Sequence, residues 1–195
     1  MKLYLVDDDH DVLDAATFLL NQAGYQVQCW TDSQQFLAEA ELYSPGIVIL
    51  DMYMPYYDGK QVHQYLIEHN SPLAVIILTA HADIPMAVSE LKKGAIDFLQ
   101  KPISFEALEK AIHHAQAKTQ QDYVKYRLKR KYNTLSEKEK AILKLVVHGK
   151  INRQIAELCN ISIRTVEVHR ANIYKKMESK NLAELIANVN DIQNI

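Results

Sequence analysis

The chain has 195 residues, of which 48% are hydrophobic and 24% are charged, a composition typical of one or two soluble globular domains. No apolar run reaches the length of a membrane span, and MKLYLVDDD is typical of a first strand rather than a signal peptide. Cys29 and Cys159 lie in different halves without partner spacing, which argues against a disulfide framework. We therefore expect a cytoplasmic protein with reduced thiols and no membrane partner.

The net charge of −2 conceals a difference between the two halves of the chain. Residues 1–121 carry 7 Lys and Arg against 16 Asp and Glu, which gives −9. Residues 122–195 carry 15 against 8, which gives +7. Because a basic segment attracts a polyanion, the asymmetry predicts that only the second half contacts nucleic acid.

Short Val-, Ile- and Leu-rich runs alternate with helix-length segments in the first half. We predict strands near residues 2–6, 26–30, 47–51, 74–78 and 96–99. The first helix should stop at Gly24, the third should begin at Asp58 and Gly59, the fourth should span about 84–93, and Ser104 should cap the fifth. Such apolar runs are typical of parallel strands buried on both faces. The pattern predicts a doubly wound α/β domain with a five-stranded parallel sheet.

Polar side chains stand where these predicted strands end: Asp7 and Asp8 after the first, Asp51 after the third, then Thr79 and Lys101. The carboxyl ends of parallel strands line one crevice, so we expect these groups to converge. Carboxylates are ligands for Mg²⁺, and a carboxylate can also be the nucleophile that forms an aspartyl phosphate. Asp51, which stands alone, is the candidate nucleophile. Helix capping is the alternative role for the acids, but it leaves Thr79 and Lys101 unexplained.

Residues 1–118 resemble a two-component receiver domain, through LVDDD, ILDMYMP, LTA and DFLQKP. The resemblance implies that Asp51 accepts a phosphoryl group from a sensor histidine kinase. It implies that Asp8, Asp51 and the backbone carbonyl of Tyr53 bind Mg²⁺, with Asp7 acting through a metal-bound water.

The same resemblance implies a conformational switch. Lys101 would pair with the phosphoryl oxygens, and Thr79 would hydrogen-bond one of them. Phe98 matches an aromatic position that moves inward on activation, although a plain core aromatic is an equal alternative. A receiver dimer would then form through the fourth helix and fifth strand, around Val88, Leu91 and Phe98.

Two further positions concern the lifetime of the phosphorylated state. Tyr53 and His81 lie two residues after Asp51 and Thr79, where the resemblance places side chains beside the path of an attacking water. We expect replacement of both by Ala to change the half-life of an aspartyl phosphate without preventing its formation.

The segment KTQQDYVKYRLKRKYNT separates the halves and contains neither Gly nor Pro, so it is not a flexible tether. A helix that continues the fifth one and a charged extended linker both fit, and we favour the helix, with the linker at 119–133. Its run KYRLKRK is either a nucleic-acid contact or a solvated helix face.

Residues 134–195 predict four short helices. Their predicted starts are the capping box Ser136–Glu139, then Asn152, Ser162 and Asn181. The first helix should end at Gly149, and the third should run to about Met177. A short helix, a tight turn at Asn160 and a longer helix form a helix-turn-helix pattern.

The second half resembles the LuxR-type DNA-binding domain through the segment LSEKEKAILKLVVHGKINRQIAELCNISIRTVEVHRANIYKKM. The two halves together resemble response regulators of the NarL/FixJ class, with ISIRTVEVHRANI closer to the FixJ branch. The resemblance implies a transcription regulator rather than an enzyme, which binds double-stranded promoter DNA as a homodimer when phosphorylated. The similarity to the FixJ branch suggests that the target genes serve respiration or the use of an alternative electron acceptor. Ile151 stands where many relatives have Ser or Pro, which leaves the cap of the second helix open.

The third helix of this half is the candidate recognition helix. Val166, Ile173 and Met177 share a stripe that belongs to the core. The candidate base contacts are Glu167, Val168, Ala171 and Asn172. The candidate phosphate contacts are Arg164, Thr165, Arg170, Lys175 and Lys176. Alternatively, Glu167 only pairs with Arg164 or Arg170 on a solvated face.

Two other functions fit parts of the sequence. Asp7-x-Asp9 resembles the nucleophile motif of haloacid-dehalogenase-like phosphohydrolases. Those enzymes need a further acidic pair where this chain has Lys101, and they leave the basic second half unexplained. A regulator that binds DNA without phosphorylation is the third hypothesis, and the complete set of acids, Thr and Lys argues against it.

Overall fold

The computed structural model describes residues 1–80 and 84–193, so the expectation for His81 lies outside the described residues. The chain divides into two compact units, Met1–Tyr123 and Val124–Ile195, and the division falls within the segment predicted as a linker. The elements are β1 Lys2–Val6, α1 His10–Gln22, β2 Val27–Trp30, α2 Ser33–Glu39, β3 Gly46–Asp51, α3 Gly59–Glu68, β4 Ala74–Thr79, α4 Ile84–Lys92, β5 Asp97–Gln100, α5 Phe105–Asn133, α6 Glu137–Val147, α7 Asn152–Cys159, α8 Ile163–Met177 and α9 Leu182–Gln193.

The first unit is built on a five-stranded sheet in the order β2-β1-β3-β4-β5, and the neighbouring strands are parallel. The predicted fold class is therefore confirmed. Strand β3 lies at the centre and pairs along its length with β1 and β4. This order places the carboxyl ends of β1, β3, β4 and β5 side by side at one edge, because parallel strands all end on the same side.

Helices cover both faces of the sheet, and side chains alternate between two separate cores. Tyr4 and Val6 of β1 pack with α2, α3 and α4, whereas Leu3 and Leu5 pack with α1 and α5. Residues 46–51 of β3 and 74–79 of β4 are buried throughout. Burial on both faces explains why these strands are continuous apolar runs rather than alternating ones.

The segment predicted as a linker is helical, since α5 continues from Phe105 to Asn133. Its first turns bury Leu108 and Ile112 in the sheet unit. Thr119 ties it further to that unit: its hydroxyl donates to the Pro72 carbonyl at 2.7 Å and accepts from the Gly46 N–H at 2.9 Å. The hydroxyl thus satisfies two backbone groups beside the starts of β3 and β4.

The second unit is helical, with α6 to α9 and the end of α5 around one core. Its buried members are Leu135, Ile142, Leu143, Val146, Ile155, Ala156, Val166, Ile173, Met177, Leu185 and Val189. The capping box of Ser136 and Glu139 is present as predicted. In α7, Ile155 and Ala156 are buried, whereas Leu158 is exposed because it lies on a different face of the helix.

Polar contacts to the buried Glu90 carboxylate join α3 to α4. His63 Nδ1 lies 2.7 Å from Glu90 Oε2, and Lys93 Nζ lies 2.8 Å from Glu90 Oε1. Burial alone would raise the pKa of Glu90, but hydrogen bonds from Lys93 and His63 outweigh it and lower the pKa. Glu90 is therefore an ionised, fully partnered carboxylate in the interior.

None of the helices in the described ranges 1–80 and 84–193 combines the length and apolar character that a bilayer-crossing segment requires.

Removing Glu90 tests this interior pair. Glu90→Ala should lower the free energy of unfolding by roughly 3 kcal/mol at pH 7, because it leaves His63 buried without its partner. The lowered pKa means that this stabilisation is present above the ordinary Glu value of 4.5 and is lost as the pH falls through the folded-state pKa. Urea unfolding followed by the fluorescence of Trp30, the single tryptophan, reports on this unit.

The matched control is Glu68→Ala on the exposed side of α3, where the carboxylate only accepts from Gln64. This change should alter the free energy of unfolding by no more than about 0.5 kcal/mol. Equal losses for the two variants at pH 7 would contradict the role assigned to Glu90.

Candidate functional sites: an acidic sheet edge and a recognition helix

The carboxyl edge of the sheet brings the predicted acidic residues together. Asp7 follows β1, Asp51 ends β3, and Lys101 follows β5. The Lys101 ammonium lies 2.6 Å from Asp7 Oδ2 and 2.8 Å from Asp51 Oδ1. One lysine therefore bridges the ends of two neighbouring strands from the far edge of the sheet.

The second oxygen of each bridged carboxylate has a backbone partner. Asp51 Oδ2 accepts the Tyr53 N–H at 2.7 Å, and Asp7 Oδ1 accepts the Asp9 N–H at 3.1 Å. Asp7 Oδ2, although close to Lys101, accepts no well-aligned hydrogen bond. Both carboxylates are thus fixed in position, and Asp7 keeps unused acceptor capacity.

Burial and charge act against each other in this cluster. Burial raises the pKa of Asp7, and the neighbouring Lys101 ammonium offsets this only in part. For Lys101, burial lowers the pKa, but the contacts with the Asp51 and Asp7 carboxylates outweigh it, so the net pKa is raised. The ammonium is therefore held in its charged form between the two carboxylates.

The loop that follows Asp51 is held close to the strand. Gly59 begins α3 directly behind it, and its N–H donates to the Met52 carbonyl at 3.1 Å. A Cβ at Gly59 would clash with the Asp51 carbonyl oxygen and with Met52. Only glycine permits this approach, which sets where the Asp51 side chain leaves the sheet.

Asp8 differs from its neighbours because it is exposed. One carboxylate oxygen from each of Asp7, Asp8 and Asp51 lies within 4.8 Å of the others. Opposite ligands of Mg²⁺ are about 4.1 Å apart, as follows from bonds of 2.0–2.1 Å, so small movements suffice to complete a site. The residues present therefore fit a divalent cation, with Asp8 open to solvent on the side where waters complete the coordination.

The two predicted switch residues lie near this cluster. Thr79, at the end of β4, is fully buried, and its carbonyl accepts the Lys101 N–H at 2.8 Å. Phe98 in β5 is partly buried against the core beneath α2, α3 and α4. Thr79 lies on the strand next to that of Asp51, and Phe98 lies on the strand beyond it.

In the second unit, the predicted helix-turn-helix consists of α7 and α8. Asn160 ends α7 with φ of 50°, and the Ser162 hydroxyl accepts the Thr165 N–H at 3.1 Å to cap α8. At the start of α7, Ile151 has no side-chain acceptor, and only its N–H bonds to Gln154 Oε1 at 3.2 Å. The start of α7, for which the sequence predicted no specific cap, thus has only one of the two hydrogen bonds of a capping box.

Helix α8 separates its residues by face as predicted. Val166, Ile173 and Met177 are buried in the core. The exposed residues of α8 are Ile163, Arg164, Glu167, Val168, Ala171, Asn172, Lys175 and Lys176. Within the described residues, no salt bridge joins Glu167 to Arg164 or Arg170.

Three of the predicted phosphate contacts have partners inside their own unit. Thr165 belongs to the cap, with its hydroxyl 2.8 Å from that of Ser162. Lys176 donates to the buried Glu139 at 2.7 Å and to the Thr134 carbonyl at 3.2 Å, and this ammonium lowers the pKa of Glu139. Lys176 therefore has a structural partner, and the structure gives no support to it as a phosphate contact.

The third is Arg170, whose Nη1 donates to Asn152 Oδ1 at 2.9 Å. The sequence indicated Asn152 only as the start of a helix. Its role as a partner of Arg170 was missed, because no local spacing rule relates residues 18 positions apart.

Comparison with known proteins identifies the family of each unit. Residues 3–113 match the family described as response regulator receiver domain, and residues 133–189 match the bacterial regulatory proteins of the luxR family. The tetrathionate response regulatory protein TtrR of Salmonella typhimurium is 47% identical, covering 94% of this chain and 89% of that protein.

Two solved structures extend over both units. The response regulator StyR is 34% identical, with a TM-score of 0.62, and covers 97% of this chain and 98% of its own. Full-length FixJ from B. japonicum is also 34% identical, with a TM-score of 0.55, and covers 100% of this chain and 98% of its own. The chain therefore belongs to the two-component response regulators of the NarL/FixJ type, in which a receiver domain precedes a LuxR-type DNA-binding domain that regulates transcription.

Proposed function

We propose that Asp51 accepts a phosphoryl group from the phosphohistidine of a sensor kinase, and that this controls binding of the second unit to promoter DNA. The observation that carries the proposal is the placement of Asp51 between Lys101 and the Tyr53 N–H. A carboxylate held in this way attacks phosphorus in a fixed orientation. The oxygen–phosphorus bond forms as the phosphorus–nitrogen bond of the donor breaks, and the donor histidine leaves.

Mg²⁺ is the cofactor of this proposal, bound by Asp8, Asp51 and the Tyr53 carbonyl, with Asp7 acting through a water. It supplies positive charge to the phosphoryl oxygens. The exposure of Asp8 supports a direct ligand, whereas Asp7 already has Lys101 and the Asp9 N–H as partners. Lys101 provides a second positive charge that is in place before the phosphoryl group arrives.

Phosphorylation adds charge beside Lys101, which already contacts Asp51, and Thr79 reaches this charge only when the neighbouring loops shift. The surface of α4 near these residues exposes Ile84, Val88 and Leu91. We place the homodimer contact of the phosphorylated protein there, together with Phe98. An apolar helix face of this kind is costly in water and is covered when two receivers pair.

The DNA contact is assigned to α8 in the major groove. Glu167 there accepts from a cytosine amino group, Val168 touches a thymine methyl, and Arg164 and Lys175 contact phosphates. Because the chain is similar to the tetrathionate response regulatory protein TtrR, its target genes in this proposal are genes of tetrathionate respiration. Tetrathionate is an alternative electron acceptor, which is the class that the sequence suggested.

The first test is the transfer of phosphate. With Mg²⁺ and acetyl phosphate, the intact chain should gain the mass of one phosphoryl group, and Asp51→Asn or removal of Mg²⁺ should abolish the gain. Asp58→Asn is the matched control, because Asp58 only caps α3 and should leave phosphate uptake intact. Persistent labelling of the Asp51 variant would show that another residue is the phosphoacceptor.

The second test concerns DNA. Lys175→Ala should weaken binding to all sequences alike and flatten the slope of log K against log salt by about one unit, because one phosphate contact is lost. The matched control is Lys60→Ala, an exposed lysine of the receiver unit, which should leave the slope unchanged. A Lys175→Ala protein with the same salt slope as the parent would show that Lys175 of α8 does not contact a DNA phosphate.

A further inference from the structure

An open groove of about 680 Å³ lies between the start of α7 and the exposed side of α8. Its polar lining includes Asn152 and Arg153 from α7, and Glu167 and Arg170 from α8. The groove thus contains the carboxylate assigned to base contact together with the cation three residues after it on the helix. How these two charges are kept apart decides what the carboxylate can bind.

Glu167 and Arg170 are three residues apart on α8, a spacing at which opposite charges on a helix surface normally attract and pair. Among the described residues, however, no ion pair between them is present, and Arg170 Nη1 instead donates to Asn152 Oδ1 at 2.9 Å. Arg170 is partly buried, so its guanidinium is directed across to α7. The amide of Asn152 therefore takes the place that the Glu167 carboxylate would otherwise occupy.

This arrangement has a consequence for both side chains. A guanidinium has five N–H donors, so a single bond to Asn152 leaves others for a DNA phosphate. No cation of the described part of the chain forms an ion pair with the Glu167 carboxylate, which is therefore available to accept from a base. A Glu167–Arg170 pair would occupy the carboxylate, and it would have to be broken before Glu167 accepted from a base.

We propose that Asn152 is a specificity-determining positioning residue: by binding Arg170, it prevents the Glu167–Arg170 pair and keeps Glu167 available for base readout. The inference rests on the proposed binding of α8 to DNA. It assigns to α7, which precedes the recognition helix, a direct part in sequence preference.

The test is a base-by-base binding profile of the full chain, phosphorylated with acetyl phosphate and Mg²⁺, on a pool of randomised duplexes. Glu167→Ala should lose about tenfold discrimination at one base pair per half-site. Asn152→Ala should lose preference at that same base pair, because Arg170 then pairs with Glu167. In the Glu167→Ala background, Asn152→Ala should add no further change to the profile.

A suppressor separates this role from a purely structural one. Adding Arg170→Gln to Asn152→Ala removes the competing cation, so the preference at that base pair should return even if overall affinity falls. Asn152→Asp, which keeps an acceptor for Arg170, should retain the parent profile. Gln154→Ala is the matched control, since it disturbs the cap of the same helix without touching Arg170.

Three results overturn the inference while leaving DNA binding intact: an Asn152→Ala profile with the parent's shape, the same loss in Gln154→Ala, or no restoration by Arg170→Gln. A Glu167→Ala profile identical to the parent's also overturns it, because there is then no readout to protect. Failure of the phosphorylated parent to bind any duplex overturns the proposed function, and the inference with it.

Discussion

The contact between the Lys101 ammonium and two carboxylates is the constraint around which the receiver unit is arranged. Asp7 and Asp51 lie on neighbouring strands, and Lys101 lies 2.6 Å and 2.8 Å from their oxygens. Without a cation between them, two buried carboxylates at this separation would repel each other, and one would take up a proton. The sheet order β2-β1-β3-β4-β5 is what allows β5 to deliver that cation to the ends of β1 and β3.

The same contact provides a path by which the proposed phosphorylation of Asp51 would reach the surface. A phosphoryl group on Asp51 would compete with Asp7 for Lys101, whose backbone N–H is bonded to the end of β4 at Thr79. Moving a switch from 1:99 to 99:1 takes roughly 5.5 kcal/mol of differential stabilisation. A desolvated lysine–phosphate contact, a divalent cation and a hydroxyl bond can together supply energy of that order. Helix α4, which carries exposed apolar side chains, packs against β5, the strand that precedes Lys101.

The sequence predicted the features that depend on local rules. The apolar runs identified the strands, the polar residues at their ends identified the acidic edge, and Ser136 with Glu139 identified a capping box. These predictions worked because strand burial and helix capping involve residues close in sequence. Because parallel strands end at the same edge of a sheet, the polar residues at the strand ends could then be predicted to form one site.

The features that the sequence did not predict are side-chain partnerships between elements. Lys176 bonds to Glu139 across 37 residues, His63 to Glu90 across 27, and Arg170 to Asn152 across 18. Helical spacing rules reach only three or four residues, so they placed Lys176 and Arg170 on the DNA side of α8 without regard to α6 or α7. The choice of partner is made by packing between elements, which only the three-dimensional structure provides.

The most direct test of the account is the DNA affinity of the full chain before and after phosphorylation, in the parent and in Lys101→Ala. On phosphorylation, the parent should gain at least about tenfold in DNA affinity, equivalent to about 1.4 kcal/mol. Lys101→Ala should still carry phosphate on Asp51, as measured by mass, yet gain little or no affinity. A Lys101→Ala protein that is phosphorylated and gains as much affinity as the parent would contradict the central role of this lysine.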